Sequence, residues 1–384
     1  MGSTPHQKII CITNDFGPRA GGIETFVIGL LERTPRGSVI VYTSYQRDSE
    51  AYDRKWLDDF GVEVIRDRSK ILLPTPRVAR AVQRLVRERQ LTIALFGAAA
   101  PLGLLSKGIR KAGITKIVAL THGHEVWWAK IWPFTWALKR IGNDVDTLTY
   151  LGEFTRSAIS RSLSKQAASA MVRIAPGIDT THFAPQENIA ELRSELDLNG
   201  KRLIVSVGRL VHRKGQDTLV EALPEILKNH PDVHLLIIGV GPHLEYIHKR
   251  AIQLGVLDHI SFLGRARYQE LPRLISLGEI FAMPSRSRLA GLEVEGLGIV
   301  YLEASACGLP IVGGIAGGAP DALIEGETGF AVDGRSAPEV ARVIKILLDD
   351  PARAKSMGER GRTWITQEWE WKRWSSELNK LLGI

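Results

Sequence analysis

Short apolar runs recur along this chain, each ending in a turn rich in glycine or polar residues and followed by a stretch with helical spacing. The first run, residues 8–13 (KIICIT), leads through residues 14–20 to Gly21-Gly22-Ile23-Glu24 and a helical segment at 25–32. Strand, glycine turn and helix open a Rossmann-like unit. Further strands are expected at 38–43, 62–65, 93–96, 116–120, 147–151 and 171–174. Strands apolar on both faces and separated by helical segments predict a parallel sheet. The dinucleotide fingerprint is incomplete, because G-x-G-x-x-G is missing after the first strand. The glycine pair, Gly22 in particular, fits close approach of a ligand to the backbone better than it fits a dinucleotide cofactor.

The rhythm pauses at Pro176-Gly177-Ile178-Asp179 and the polar sequence after it, then restarts. Strands are expected at 202–207, 234–238, 260–263, 280–283 and within 326–332, with helices at 217–227, 299–307 and 338–348. A Trp-rich amphipathic helix is expected at 364–382. The pattern predicts an α/β chain of two domains, residues 1–177 and 178–363, followed by a terminal helix at 364–384. A chain of 384 residues can bury two such cores.

Two segments of the first half carry a surface pattern. At 75–90 (TPRVARAVQRLVRERQ), Arg77, Arg80, Arg84 and Arg87 fall within an arc of about 80° on a helical wheel, opposite Val78, Val82, Leu85 and Val86. The face reads either as a solvated one or as a basic surface for anionic lipid, where four such charges reach nearly a thousandfold (~10³) in partitioning. Trp127, Trp128, Trp132 and Trp136 lie within one short stretch beside Lys130, Lys139 and Arg140. That mixture fits a membrane-interface or acyl-chain surface, and equally a packed helix–helix contact.

Composition narrows the picture. With 44% apolar and 24% charged residues the chain reads as an ordinary soluble globular protein. A net charge of +8 points to an anionic partner without choosing its kind, and no nucleic-acid reading motif is present. Cys11 and Cys307 lie far apart in apolar surroundings and read as buried thiols from a reducing compartment. The N-terminus shows no signal-peptide pattern, and residues 1–4 read as an expression remnant, so a cytoplasmic location is expected.

The chemistry concentrates at strand ends. Residues 208–215 (GRLVHRKG) follow the strand at 202–207, and Arg209 and Lys214 there can clamp a diphosphate. Gly264-Arg265-Ala266 ends another strand and can hold a base through backbone groups. Residues 283–320 contain Glu295, then Gly296-Leu297-Gly298, then a helix start at Ile299, with Glu303 inside it. A glycine turn feeding a helix offers free N–H groups and a positive dipole end to phosphate. The carboxylates would repel phosphate and suit sugar hydroxyls instead. In the first half, His122 and His124 end the strand at 116–120 and are site candidates. Neither His122-x-His124-Glu125 nor Asp144-x-Asp146 shows the spacing of a complete metal site.

The ordered set of Gly21-Gly22, Pro176-Gly177-Ile178-Asp179, Gly208-Arg209 with Lys214, and Glu295-x7-Glu303 resembles the retaining glycosyltransferases of the GT-B fold, over nearly the whole chain. The strings THGHEVWW (121–128) and VEGLGIVYLE (294–303) resemble the actinobacterial branch that moves mannose from GDP-mannose to phosphatidylinositol mannosides. The resemblance implies two facing Rossmann-like domains and a C-terminal helix crossing back to the first. It implies that Arg209 and Lys214 neutralise the donor diphosphate, and that Glu303 holds the ribose and Glu295 the sugar. Backbone groups of Leu297, Gly298 and Ile299 would orient the donor, and His122 would touch the transferred sugar. Implied partners are the nucleotide-sugar donor, an anionic glycolipid acceptor and the inner face of an anionic membrane, contacted through Arg77, Arg80, Arg84, Arg87, Trp127 and Trp128; no metal or other cofactor is implied. Transfer to a soluble acceptor, and a silent nucleotide-sugar sensor, are the competing readings.

Overall fold

Parallel pairing begins at the first apolar run. In the computed structural model, which describes residues 8–19 and 21–384, β1 (Ile9–Thr13) pairs with β2 (Val39–Thr43) on one side and β4 (Ile93–Phe96) on the other. Every residue of these three strands is buried, as expected of strands covered on both faces. With β3 (Glu63–Arg66), β5 (Lys116–Ala119), β6 (Thr147–Tyr150) and β7 (Val172–Arg173) they make a seven-stranded parallel sheet in the order β3-β2-β1-β4-β5-β6-β7. The expression-remnant reading of residues 1–4 falls outside the described residues.

A second sheet repeats the plan. It comprises β8 (Arg202–Val207), β9 (Val233–Ile238), β10 (Ile260–Gly264), β11 (Ile280–Met283), β12 (Ile311–Gly314) and β13 (Gly329–Val332). Their order is β10-β9-β8-β11-β12-β13. Strand order reverses beside β1 in one sheet and beside β8 in the other. Ligands of doubly wound sheets bind at such a reversal, outside the carboxyl ends of the strands. The loops after β1, β4 and β5, and those after β8 and β11, are therefore the ones placed for chemistry.

The chain forms two compact units, the first holding residues up to Gly177 together with Trp371–Ile384, the second Ile178–Glu370. The terminal helix expected at 364–382 is two helices, Pro351–Glu368 and Trp371–Leu382. The break has a cause in the packing. Trp369 is buried in the second unit, its carbonyl accepts from the Ile178 N–H at 2.8 Å, and Glu370 bridges to Ile178. The return to the first unit thus starts at Trp371, not at 364. There the indole lies against Gly29, where an added Cβ would sit 2.3 Å from the ring, and under Arg33 at 5.0 Å. The helix Glu50–Phe60 and strand β12 were not expected from the pattern.

Candidate active site

The loop after β8 turns twice on glycine. Gly215 has φ +75°, and a Cβ there would lie 2.0 Å from the Pro284 carbonyl, so the loop presses directly on the segment that follows β11. This seats Lys214, 9% exposed, with its Nζ 2.8 Å from Glu295 Oε2. Arg213 stands 3.7 Å from the same oxygen. Arg209 is exposed on the loop and, among the described residues, has no ion-pair partner, which leaves its guanidinium available to an anion.

Glu295 leads into the turn at Gly298, whose φ of +85° and contact with the Tyr301 ring (2.4 Å from an added Cβ) exclude a side chain. The Tyr301 hydroxyl donates to the Met283 carbonyl at 2.6 Å and lies 3.0 Å from the Ser285 hydroxyl, tying the turn to the end of β11. Leu297 is buried, and the helix Ile299–Ala306 begins here, so its first N–H groups have no partner within the helix. Glu303 lies one turn into it. Desolvation raises its pKa to about 7, and the Lys214 ammonium pulls it back down. Lys214 thus acts on both carboxylates of the pair. Arg265 and Ala266 follow β10, whose last residue accepts from the Gly239 N–H at 2.7 Å. Glu293 pairs with Arg288 at 3.3 Å and, at 3.7 Å, with Arg213, the guanidinium that also stands by Glu295.

In the first unit, His122 sits at the end of β5 with its Nε2 on the Gly97 carbonyl after β4. A carbonyl only accepts, so Nε2 carries the proton and Nδ1 is the acceptor. Its backbone N–H donates to Glu125 at 2.9 Å, and Phe26 stands edge-on at 5.4 Å. Burial lowers the His122 pKa despite the Glu125 carboxylate, which keeps the ring neutral. An acidic group absent from the expected site surrounds it. Asp15, just past β1, has its pKa raised to about 6 by burial and then by Glu24. Glu24 pairs with Arg19 at 2.6 Å, and Glu125 is fully buried. The signal was the position of Asp15 at a strand's carboxyl end. Gly22 opens the helix Gly22–Leu31, and an added Cβ there would meet nothing within 4 Å.

Other expected residues are placed differently. Trp128 belongs to the apolar core, and the half-buried Trp127 packs against it and, at 4.8 Å, against Phe134. The short helix Glu125–Trp128 buries Trp128, and Trp132 and Trp136 are the exposed pair. Arg77 is not free either: it binds both oxygens of buried Asp67, at 2.6 and 2.9 Å. Arg80, Arg84 and Arg87 are exposed, Arg84 being paired with Glu88 at 2.6 Å. Asp146 accepts from the Ile117 N–H at 2.7 Å and pairs with Arg110 at 2.8 Å, while Asp144 faces Arg140 at 3.7 Å. Neither this pair nor His122 and His124 gathers three ligand atoms among the described residues. Cys11 and Cys307 are both buried, and burial pushes each thiol up to about 12.

The loops after β8 and β11 thus bring a cation, two carboxylates and a helix start together. Residues 188–364 match the family model "Glycosyl transferases group 1" and residues 20–182 match "Glycosyltransferase Family 4". The chain is 43% identical to the GDP-mannose-dependent alpha-(1-6)-phosphatidylinositol monomannoside mannosyltransferase of Mycolicibacterium smegmatis, over 98% of each chain. It is 38% identical to the enzyme of Corynebacterium glutamicum that acts on the monoacylated form, again over 98% of each. The crystal structure of Anabaena HepE in complex with UDP shares the fold, with a TM-score of 0.81 at 19% identity, covering 98% of this chain and 100% of that one. The chain belongs to the GT-B glycosyltransferases of this family and is an enzyme of that class.

Proposed function

We propose that the protein is a retaining mannosyltransferase that moves mannose from GDP-mannose to a phosphatidylinositol mannoside at the inner face of the membrane. The substrates are those named for the relatives above. The observation that carries the reading is the Lys214–Glu295 pair at 2.8 Å beside the helix start at Ile299. It joins a cation for phosphate, a carboxylate for hydroxyls and a helix dipole.

Cleaving the sugar–phosphate bond builds negative charge on the diphosphate and positive charge on the anomeric carbon. Lys214, Arg209 and the N–H groups at Leu297, Gly298 and Ile299 stabilise the first without reorganising. Glu295 takes sugar hydroxyls and Glu303 the ribose, with the base held by the backbone at Arg265 and Ala266. Neutral His122 accepts a hydroxyl at Nδ1 rather than supplying a proton. Glu295 is engaged by two cations, so it is not a ready nucleophile. Same-face attack by the acceptor hydroxyl follows, with the departing phosphate taking its proton. No metal takes part in this step.

The membrane contact is supported by Trp132, 81% exposed, and Trp136, 57% exposed, with Lys139 and Arg140 beside them. Interfacial indoles flanked by cations suit an anionic leaflet. No described helix is long and apolar enough to cross a membrane. The test is transfer from radiolabelled nucleotide sugars to phosphatidylinositol mannosides in vesicles and to water-soluble acceptors. Mannose transfer to the glycolipid with retained configuration is expected. Equal transfer to soluble acceptors without lipid, or binding without turnover, would overturn the reading.

A further inference from the structure

The loop that bears Arg209 and Lys214 has a second face, unused by the transfer. His212 lies on its short turn, His212–Lys214; Asp217 opens the helix Gln216–Leu227; His243 immediately precedes the helix Leu244–Gln253. One ligand atom from each of the three lies within 4.8 Å of the others. The two imidazoles are 3.6 Å apart between centroids, and His243 Nε2 is 3.4 Å from Asp217 Oδ2. His243 is 4% and Asp217 7% exposed, yet His243 Nε2 and Asp217 Oδ1 have no hydrogen-bond partner. Two buried polar atoms pointing into one spot, each lacking a partner, mark a place where something belongs.

The surroundings narrow what that is. Arg286 binds Asp217 Oδ2 and is itself held by Thr218 Oγ1 at 2.6 Å and the Gly334 carbonyl at 3.2 Å. It fixes the carboxylate and leaves Oδ1 as the free donor. The Tyr246 ring stacks on His243 at 4.7 Å and sets its orientation. Two imidazole nitrogens and one carboxylate oxygen are the donors of a borderline transition metal rather than of magnesium or calcium, which prefer oxygen.

We propose that His212, Asp217 and His243 bind a divalent transition-metal ion of the zinc class, with water completing a tetrahedral shell. The ion would fasten the Gly208–Gly215 turn to the two helices behind it and take no part in the chemistry. The inference is independent of the transferase reading, because it is read with neither donor nor acceptor present.

The test uses the full chain without an affinity tag. Cobalt(II) is titrated for its tetrahedral visible absorption, and zinc by competition with a chromophoric chelator. One equivalent with tetrahedral cobalt bands is expected, and zinc should raise the melting temperature. His212→Ala, at an exposed position, and His243→Gln should each weaken zinc binding by at least about tenfold. Absence of tetrahedral bands, or the same zinc affinity in wild type and His212→Ala, would overturn the proposal.

Discussion

Lys214 Nζ stands 2.8 Å from Glu295 Oε2, so the cation proposed to clamp the diphosphate and the carboxylate proposed for the sugar are paired with one another. The two come from the loops after β8 and β11, on either side of the strand-order reversal. In the proposed mode of binding, a donor would exchange that pair for its own phosphate and hydroxyls. The pair holds the nearly buried Lys214 side chain oriented beforehand, which is what transition-state stabilisation requires.

Lys214→Ala should therefore lower turnover by about a hundredfold or more and also lower the melting temperature, because Glu295 loses its principal partner. Adding Glu295→Gln should recover stability and leave turnover low. Rates of GDP-mannose consumption and thermal melts separate the two effects. Near-normal turnover in Lys214→Ala would remove the clamp from the mechanism.

Glu303 predicts a pH dependence. Its pKa of about 7 in the folded protein exceeds the ordinary value of 4.5, so between those values the folded state holds more protons than the unfolded one. Stability should fall as pH rises through that interval. Donor affinity should move the opposite way, rising as the carboxylate forms to accept ribose hydroxyls. Glu303→Gln should flatten both profiles, as read by melting curves across that interval and by calorimetric titration of GDP-mannose from pH 6 to 8 (about one unit on either side of the folded pKa).

The proposed membrane surface divides into residues expected to face lipid and residues that hold the fold. Trp132→Ala with Trp136→Ala should reduce sedimentation with anionic vesicles by about tenfold or more. Charge reversal of Arg80 and Arg84 should also weaken it. Arg77→Ala should instead lower the melting temperature, because Asp67 and its partner Tyr42 lose the guanidinium that holds them. Vesicle binding unaffected by the tryptophan substitutions would place the lipid contact elsewhere.

A chelator should leave mannose transfer within about twofold of its original rate, since electrostatic stabilisation is assigned to Lys214, Arg209 and helix N–H groups. It should still remove the ion proposed at His212 and His243, read as a fall in melting temperature. Loss of transfer that added metal restores would return a metal to the sugar step.

Much of the fold was legible because buried parallel strands are written as apolar runs, and their helices as spaced ones. The E-x7-E stretch was legible for a similar reason: Glu295, Gly298 and Glu303 are neighbours in sequence as well as in space. Sequence alone thus determined the two Rossmann-like sheets, the Lys214 and Glu295 loops and the class of enzyme. Tertiary structure decided what depends on distant partners. Trp128 and Trp132 are four residues apart with the same chemistry, and only the packing of one into the core tells them apart. Arg77 belongs to Asp67, and Trp369 to the second unit, through contacts that no local pattern encodes. Asp15, Glu24 and Glu125 meet around His122, and His212 meets His243, because strand order brings together loops that lie far apart along the chain.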